Sequence, residues 1–437
     1  MIMLTKRRES NKNILTLFGL FFIVFCSSNI LAQEATENTT KNYKGRIVEK
    51  NTNKALALAT VTLEGTNIST VSNTEGEFLL KVPVSMKDAF VSFSFLGYLT
   101  KRMPLSQLND RKNKIELDVS ITQLAEVNIN APKDAEALVR EVLNRKGENY
   151  FNDPTLMTAF YRETIKKRRR NVSLSEAVVN IYKSPYSSNK KDAVQLYKAR
   201  KSTDYSKLDT VALKLQGGPF NTLYVDIMKY PEFIFAGASV DEYEFSFDRS
   251  TLINDRLIYI IDFEQLKSIV EPLYRGKLYI DVESKTLTSA VYKLNITNRE
   301  LASRLFVRKK PSNVDVWPTE VAYRVDYRSK NGKWYYGYSN VLLEFKVDWD
   351  DKLFNSVYSM TAEMAVTDWK KNTEKENLKA REKIKKSIIL SDEALGFSDP
   401  DFWGEYNIIE PEKSIESAIK KIQRQLRRAN KNGASPP

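Results

Sequence analysis

Thr319–Val347, TEVAYRVDYRSKNGKWYYGYSNVLLEFKV, is the stretch that decides the fold class. Two runs rich in Val, Tyr, Phe and Leu, Thr319–Tyr327 and Lys333–Val347, flank Ser329-Lys330-Asn331-Gly332. Asn-Gly favours a primed turn whose twist matches the strands it joins, so the stretch reads as a long antiparallel hairpin. The pattern repeats outward from it. Thr158–Lys166 and Val172–Tyr182 flank the basic turn Lys166-Lys167-Arg168-Arg169-Arg170, and Tyr243–Phe247, Arg256–Phe263, Gly276–Val282, Leu287–Leu294 and Ser356–Thr367 are further strands. Long strands in antiparallel succession predict an extended curved sheet or half-barrel over residues 132–368. A helix leads into it over 134–146. Asp134 is placed to cap it, Ala135, Leu138, Val139 and Val142 share one face, and Gly147 follows as a stop.

Upstream, residues 43–131 have a different texture. Lys44–Glu49, Thr60–Glu64, Glu77–Val82, Ala89–Phe95 and Lys114–Val119 are short strands separated by turn residues. Alternation at Val61/Leu63 and Phe93/Phe95 requires sheets with one buried face, and no helical period occurs, so a small β-sandwich is expected. Three turn positions have structural work to do. Asn73 can fold its side chain back on the backbone, Gly76 permits a tight turn that lets Phe78 reach the core, and Gly97 permits a bend before Tyr98. In order along the chain stand Gly45-Arg46-Ile47-Val48, Ala59–Thr66, Ser72–Phe78, Phe95-Leu96-Gly97-Tyr98 and Leu124–Ile129. This succession resembles the carboxypeptidase-regulatory-like domain, a transthyretin-like sandwich found at the N-termini of exported Bacteroidetes proteins. The family usually has Asp where this chain has Asn73. The resemblance is to the non-catalytic module of carboxypeptidases, and it implies a mainly β protein of the cell envelope.

Within the larger region, Gly276–Val282, Ala290–Leu294 and Trp317-Pro318 are similar in pattern to the half-barrel of lipoprotein-carrier proteins. That similarity implies an apolar concavity able to take acyl chains. Trp334, Tyr336, Tyr338, Phe345 and Trp349 are the candidate apolar ligand or partner surface. Because neighbours on a strand face opposite ways, only part of an aromatic run such as Tyr335-Tyr336 can line one groove.

Composition narrows the chemistry. The chain has 437 residues, one Cys and no His, so a Ser-His-Asp triad, a His-ligated zinc and a histidine general base are all excluded. No catalytic, cofactor or metal residues are assigned. Three Ser-x-x-Lys pairs (Ser187/Lys190, Ser188/Lys191, Ser417/Lys420) are what chance supplies in a Lys-rich chain.

Residues 1–32 read as a signal peptide, with basic Lys6, Arg7, Arg8 and Lys12 followed by the apolar run Ile14–Phe25. Cys26 offers a lipid-anchor alternative. Residues 33–42 read as a polar linker. Residues 369–437 read as a charged, helical C-terminal segment in which Phe402 and Trp403 anchor a loop to the sheet. From Ser414 onward an apolar stripe opposes basic residues. A formal charge of +13 favours contact with anionic membrane surfaces, while export argues against nucleic acid.

The expectation that follows is a non-enzymatic binding or scaffold protein of the periplasm or outer membrane, its partner an envelope protein or a lipid. The first alternative is a lipid or lipoprotein carrier with an apolar half-barrel. The second is an envelope hydrolase built on carboxylates.

Overall fold

The structure is a computed structural model. It describes residues 40–119, 134–168, 170–203, 215–235, 240–248, 251–253, 256–307, 310–374, 376–396 and 402–412. The expected signal peptide, most of the expected linker and the stripe expected after Ser414 lie outside the described residues.

The first unit is a sandwich of two sheets. Strands β1 (Thr40–Glu49), β4 (Glu77–Pro83) and β7 (Asn113–Leu117) form one in the order β4-β1-β7, with β1 and β7 parallel. Strands β2 (Thr60–Leu63), β3 (Ser69–Val71), β5 (Phe90–Ser94) and β6 (Lys101–Pro104) form the other in the order β3-β2-β5-β6. Their facing side chains make the core, where Ile47, Val61, Leu63, Phe78, Phe93 and Leu117 are fully buried and Phe78 meets Phe93 edge-on at 5.4 Å. Two strands, β3 and β6, are absent from the sequence reading, and β1 begins at Thr40, inside the expected linker. Three residues of Ser-Thr-Val and a stretch of Lys-Arg-Met-Pro carry too little periodicity to announce a strand; pairing with β2 and β5 makes them one.

The second unit is one large open sheet. Its strands are β8 (Thr155–Lys167), β9 (Arg170–Lys183), β10 (Ala193–Thr203), β11 (Tyr243–Phe247), β12 (Thr251–Ile253), β13 (Arg256–Gln265), β14 (Tyr274–Asp281), β15 (Thr286–Leu294), β16 (Val314–Lys330), β17 (Lys333–Trp349), β18 (Ser356–Lys371) and β19 (Leu395–Gly396). They run in the order β11-β13-β14-β15-β16-β17-β18-β8-β9-β10-β19, with β12 on β13. Among the described strands of this sheet every pairing is antiparallel except β10 with β19. The two ends of this path do not pair, so the sheet stays open. The β16–β17 hairpin turns at Asn331 and Gly332, both with positive φ (51° and 73°), as the Asn-Gly pair predicts.

Each strand alternates between two faces, and different partners cover them. The inner face carries a long apolar core with helix α1 (Ala135–Asn144), the segment 215–235 and helix α2 (Arg299–Phe306) laid over it. Asp134 caps α1 by accepting from Ala137 N at 3.0 Å, and Ala135, Leu138, Val139 and Val142 are its buried residues. The outer face receives the sandwich. Asn67 Nδ2 donates to Trp369 O at 2.7 Å, Ser69 Oγ to Val366 O at 3.2 Å and Lys330 Nζ to Thr66 O at 2.9 Å.

The C-terminal region departs from the helical expectation. Strand β18 runs to Lys371, and between there and 396 the only helical pieces among the described residues are the short turns Ala380–Glu382 and Leu390–Glu393. Lys/Glu pairs at helical spacing contribute only tenths of a kcal/mol each, and no apolar stripe in 370–386 gives a helix a face to bury. Residues 402–412 pass between the two units. Trp403 is buried edge-on against Phe160 of β8 at 5.4 Å.

Candidate ligand-binding cavity

The inner face is occupied unevenly. Toward one end, the chain fills it with its own side chains. Lys183, at the end of β9, is buried with Nζ 2.8 Å from Asp192 Oδ2 and 2.5 Å from Asp226 Oδ2. Tyr186 and Tyr327 donate their hydroxyls to Asp226 at 2.9 and 3.0 Å, and Tyr230 accepts from Asp192 N. Burial works against the Lys183 ammonium, but the two carboxylates outweigh it and its pKa is raised. The ring of Tyr150 packs on both Tyr186 and Tyr327. These polar groups partner one another, leaving a rigid plug. Nothing in the sequence announced it, because its members come from four separated segments.

Toward the other end, the same face is hollow. A cavity of about 630 Å³ lies between the sheet and its cover, inside the range of small-molecule sites. Its floor is Val316 and Tyr323 of β16, Val341, Leu343 and Phe345 of β17, and Met360 and Ala362 of β18, with Tyr274 and Tyr292 from the neighbouring strands. The cover supplies Leu215, Val225, Phe233 and Ile234 from the segment 215–235, Leu305, Phe306 and Val307 from the end of α2, and Ile389. Polar lining is sparse: Gln216, Asn221 and Lys310, apart from tyrosine hydroxyls. Leu305 and Lys310 are exposed at the rim.

One ionisable group sits beside this floor, on the same face of the sheet. Glu163 of β8 pairs across with Ala362, which lines the cavity. Burial pushes its carboxyl up to about 7, against the pull of the Tyr161 hydroxyl that donates to it at 2.7 Å.

A β-bulge decides where the candidate aromatics go. On β17 the register slips between Tyr336 and Tyr338, leaving Gly337 as the extra residue. A Cβ there would stand 2.7 Å from Cγ of Arg328, so the close approach requires glycine. Before the bulge, Trp334 and Tyr336 belong to the inner core; after it, Val341, Leu343 and Phe345 point inward. Of the five candidates, only Phe345 lines the cavity. Tyr336 lies in the plug, its hydroxyl 2.6 Å from Ser339 Oγ. Trp349 is buried near the end of the strand in the cluster that holds Phe345 and Met360. Trp334 borders the cleft beneath the sandwich with Arg256 over its ring. Tyr338 faces outward, buried with Phe160 and Trp403. Most of the true lining was missed, and alternation along β17 and β18 could have found Val341, Leu343, Met360 and Ala362.

The three turn residues are placed plainly. Asn73 Oδ1 accepts from Glu75 N and Glu77 N, both at 2.9 Å, while its Nδ2 donates to Glu410 O at 3.1 Å. Gly76 (φ 77°) and Gly97 (φ 87°) occupy left-handed conformations, and a Cβ on Gly76 would lie 2.6 Å from Ile47 O. The outer face of β8 and β9 carries a second buried ionic group. Arg162 bridges Glu176 at 2.7 Å and Glu363 at 3.2 Å, and Arg200 reaches the other oxygen of Glu176 at 2.8 Å. Arg162 also donates to Ile409 O at 2.7 Å, which ties it to residues 402–412 rather than to open solvent.

Comparison with known proteins identifies the first unit. Residues 43–129 match the CarboxypepD_reg-like domain. The match covers the sandwich and stops before the large sheet. No curated protein matches the chain. Among solved structures, a LolA-superfamily protein from Nitrosomonas europaea is similar over 57% of this chain and 98% of its own, at 10% identity and a TM-score of 0.23. A DUF1329-family protein from Desulfovibrio piger is similar over 55% and 95%, at 10% identity and a TM-score of 0.25. Lipovitellin, solved for its lipid–protein interactions, is similar over 53% of this chain and 27% of its own, at 8% identity and a TM-score of 0.26.

Proposed function

We propose that this is a non-enzymatic protein of the cell envelope whose large sheet holds an apolar ligand of the acyl-chain type, with the sandwich as a supporting module. The observation that carries the reading is the cavity of about 630 Å³, walled by Val, Leu, Ile, Met and aromatic side chains and opening at exposed Leu305 and Lys310. Seating an apolar chain in this cleft would remove apolar surface of both the ligand and the lining from water. The sparse polar lining suits a ligand with a long apolar part and one polar end, which Lys310 can meet at the rim. The signal-peptide pattern supports export, and the absence of His and Cys beyond residue 32 supports holding over transforming. A carboxylate hydrolase finds less support. Asp192 and Asp226 are both bound to Lys183 inside the plug, and Glu176 and Glu363 are both bound to Arg162 on the outer face.

Two measurements test the proposal. Mass spectrometry of an organic extract of the purified protein is expected to find bound lipid, and a dansyl-labelled fatty acid is expected to bind and gain fluorescence. Val341→Phe and Leu343→Trp grow into the hollow and should reduce that binding at least tenfold while leaving thermal stability intact. Unchanged binding in both variants would place the ligand elsewhere and end this reading.

A further inference from the structure

We infer that one end of the large sheet, the end at which the cavity lies, docks on a lipid bilayer through the tip of the β17–β18 hairpin. The tip carries Leu353 and Phe354, which are 95% and 78% exposed and adjacent in sequence. Large apolar side chains this bare serve no packing purpose in the chain, and two together at a hairpin tip form a wedge.

The wedge is close to the hollow. Val347 pairs with Ser356 next to the hairpin tip; further along the same face Phe345, opposite Tyr358, and then Met360, opposite Leu343, line the cavity. At ~3.3 Å per residue, these strand positions lie within ~15 Å of that pair. The chain before β16 joins the same end: Asp350 N donates to Asn313 O at 3.2 Å, just beyond rim residue Lys310.

The charges around the tip are sorted by element. The β8–β9 turn brings Lys166, Lys167, Arg168 and Arg170 beside the hairpin, with Arg168 N donating to Val357 O at 2.8 Å and Lys167 lying over the Tyr358 ring. Lys352 lies over Trp349. Acids are also present. Glu412 meets Lys166 at 3.5 Å, Asp315 meets Lys310 at 3.0 Å, and Asp348, Asp350 and Asp351 sit on the hairpin itself. Insertion of Leu353 and Phe354 is therefore the anchor, and the basic turn adds a preference for anionic headgroups. The docked geometry puts the rim of the cavity at the membrane, where an acyl chain can pass without crossing water. In that last step the inference rests on the apolar-ligand reading.

The test is sedimentation of the full chain with vesicles of phosphatidylcholine and with vesicles of equimolar phosphatidylcholine and phosphatidylglycerol. The full chain should bind both, and the anionic vesicles more tightly. The Leu353→Ser/Phe354→Ser variant alters only exposed side chains and should weaken binding to both at least about tenfold. Lys167→Gln/Arg168→Gln/Arg170→Gln should remove only the extra affinity for anionic vesicles. A Phe354→Trp variant should show an emission blue shift on vesicles beyond that of the parent. Vesicle binding that is unaltered in Leu353→Ser/Phe354→Ser, or no vesicle binding by the parent, overturns the inference. The Val341→Phe variant keeps the two readings apart: it should lose fatty-acid binding and keep vesicle binding. Should the parent dock through the tip yet bind no fatty acid, the apolar-ligand reading falls while the docking stands.

Discussion

Glu163 illustrates how a single side chain can write a pH dependence into the fold. Its carboxyl, buried beside the cavity floor, holds its proton up to about 7, whereas an ordinary glutamate releases it near 4.5. Between those values the folded chain binds more protons than the unfolded chain, so stability must fall as pH rises through that window and level off above it. The shift corresponds to about 3 kcal/mol across the window. Glu163→Gln keeps the shape and an acceptor for the Tyr161 hydroxyl but cannot ionise. Its urea midpoint should stay nearly level between pH 5 and pH 8 while the parent's declines, making the variant the more stable at pH 8. Parallel slopes in the two proteins would show that Glu163 is solvated or otherwise paired. Nothing local in the sequence predicts this behaviour. In Thr158–Lys166 the alternation places Glu163 on the same face as Ala159 and Tyr161, but whether that face is wet or dry depends on a cover from residues far along the chain.

At the scale of elements, the turn at Asn73 has two jobs. Within the sandwich its Oδ1 closes the Asn73–Glu77 turn, which an Asp could also do; its Nδ2 donates to Glu410 O, which an Asp could not. Asn73→Asp should keep the turn, lose one interdomain hydrogen bond and set a carboxylate against a carbonyl, costing about 1–3 kcal/mol. Asn73→Ala loses the turn bonds as well and should cost more. Chemical denaturation of the three proteins checks the order, and an Asp variant as stable as the parent would mean that the contact to residue 410 contributes nothing.

Elements also show what could be read in advance. The Asn331-Gly332 hairpin, the Gly276–Leu294 hairpin, the strands on either side of Lys166–Arg170 and the Asp134-capped helix all follow from local rules, since turn chemistry and side-chain period act over a few residues. Strand β10, the short strands β3 and β6 and the cover 215–235 do not. The segment that follows Gly217-Gly218-Pro219 lies across the sheet because the inner face beneath it is apolar. The Gly337 bulge is the sharpest case. A strict period of two through Trp334–Trp349 sorts the aromatics onto the wrong faces, and only the register against β16 reveals the slip.

For the whole molecule, the decisive question is whether the sandwich and the large sheet behave as one body. Residues 402–412 lie between them and bond to both. On the sandwich side, Thr70 Oγ1 donates to Ile408 O at 2.9 Å, Lys81 N donates to Asn407 Oδ1 at 2.7 Å, and Lys44 pairs with Glu410 at 2.6 Å. On the sheet side, Arg162 donates to Ile409 O, and Trp403 packs on Phe160 beneath the Arg200 guanidinium, 4.7 Å from its ring. Two units joined this way should unfold together, in a single calorimetric transition whose van't Hoff and calorimetric enthalpies agree. Trp403→Ala removes the largest buried side chain of the strap, at a cost of about 3–5 kcal/mol. Because that loss falls on the connection and not on either core, the expected result is more specific than a lower melting temperature. The single transition should split in two, and limited proteolysis should release the sandwich as a folded fragment of about the span 43–129. A variant that merely melts earlier, still in one step, would show that the direct contacts of Asn67, Ser69 and Lys330 hold the units together without the strap. In that case the C-terminal segment would be a passenger on an interface already complete.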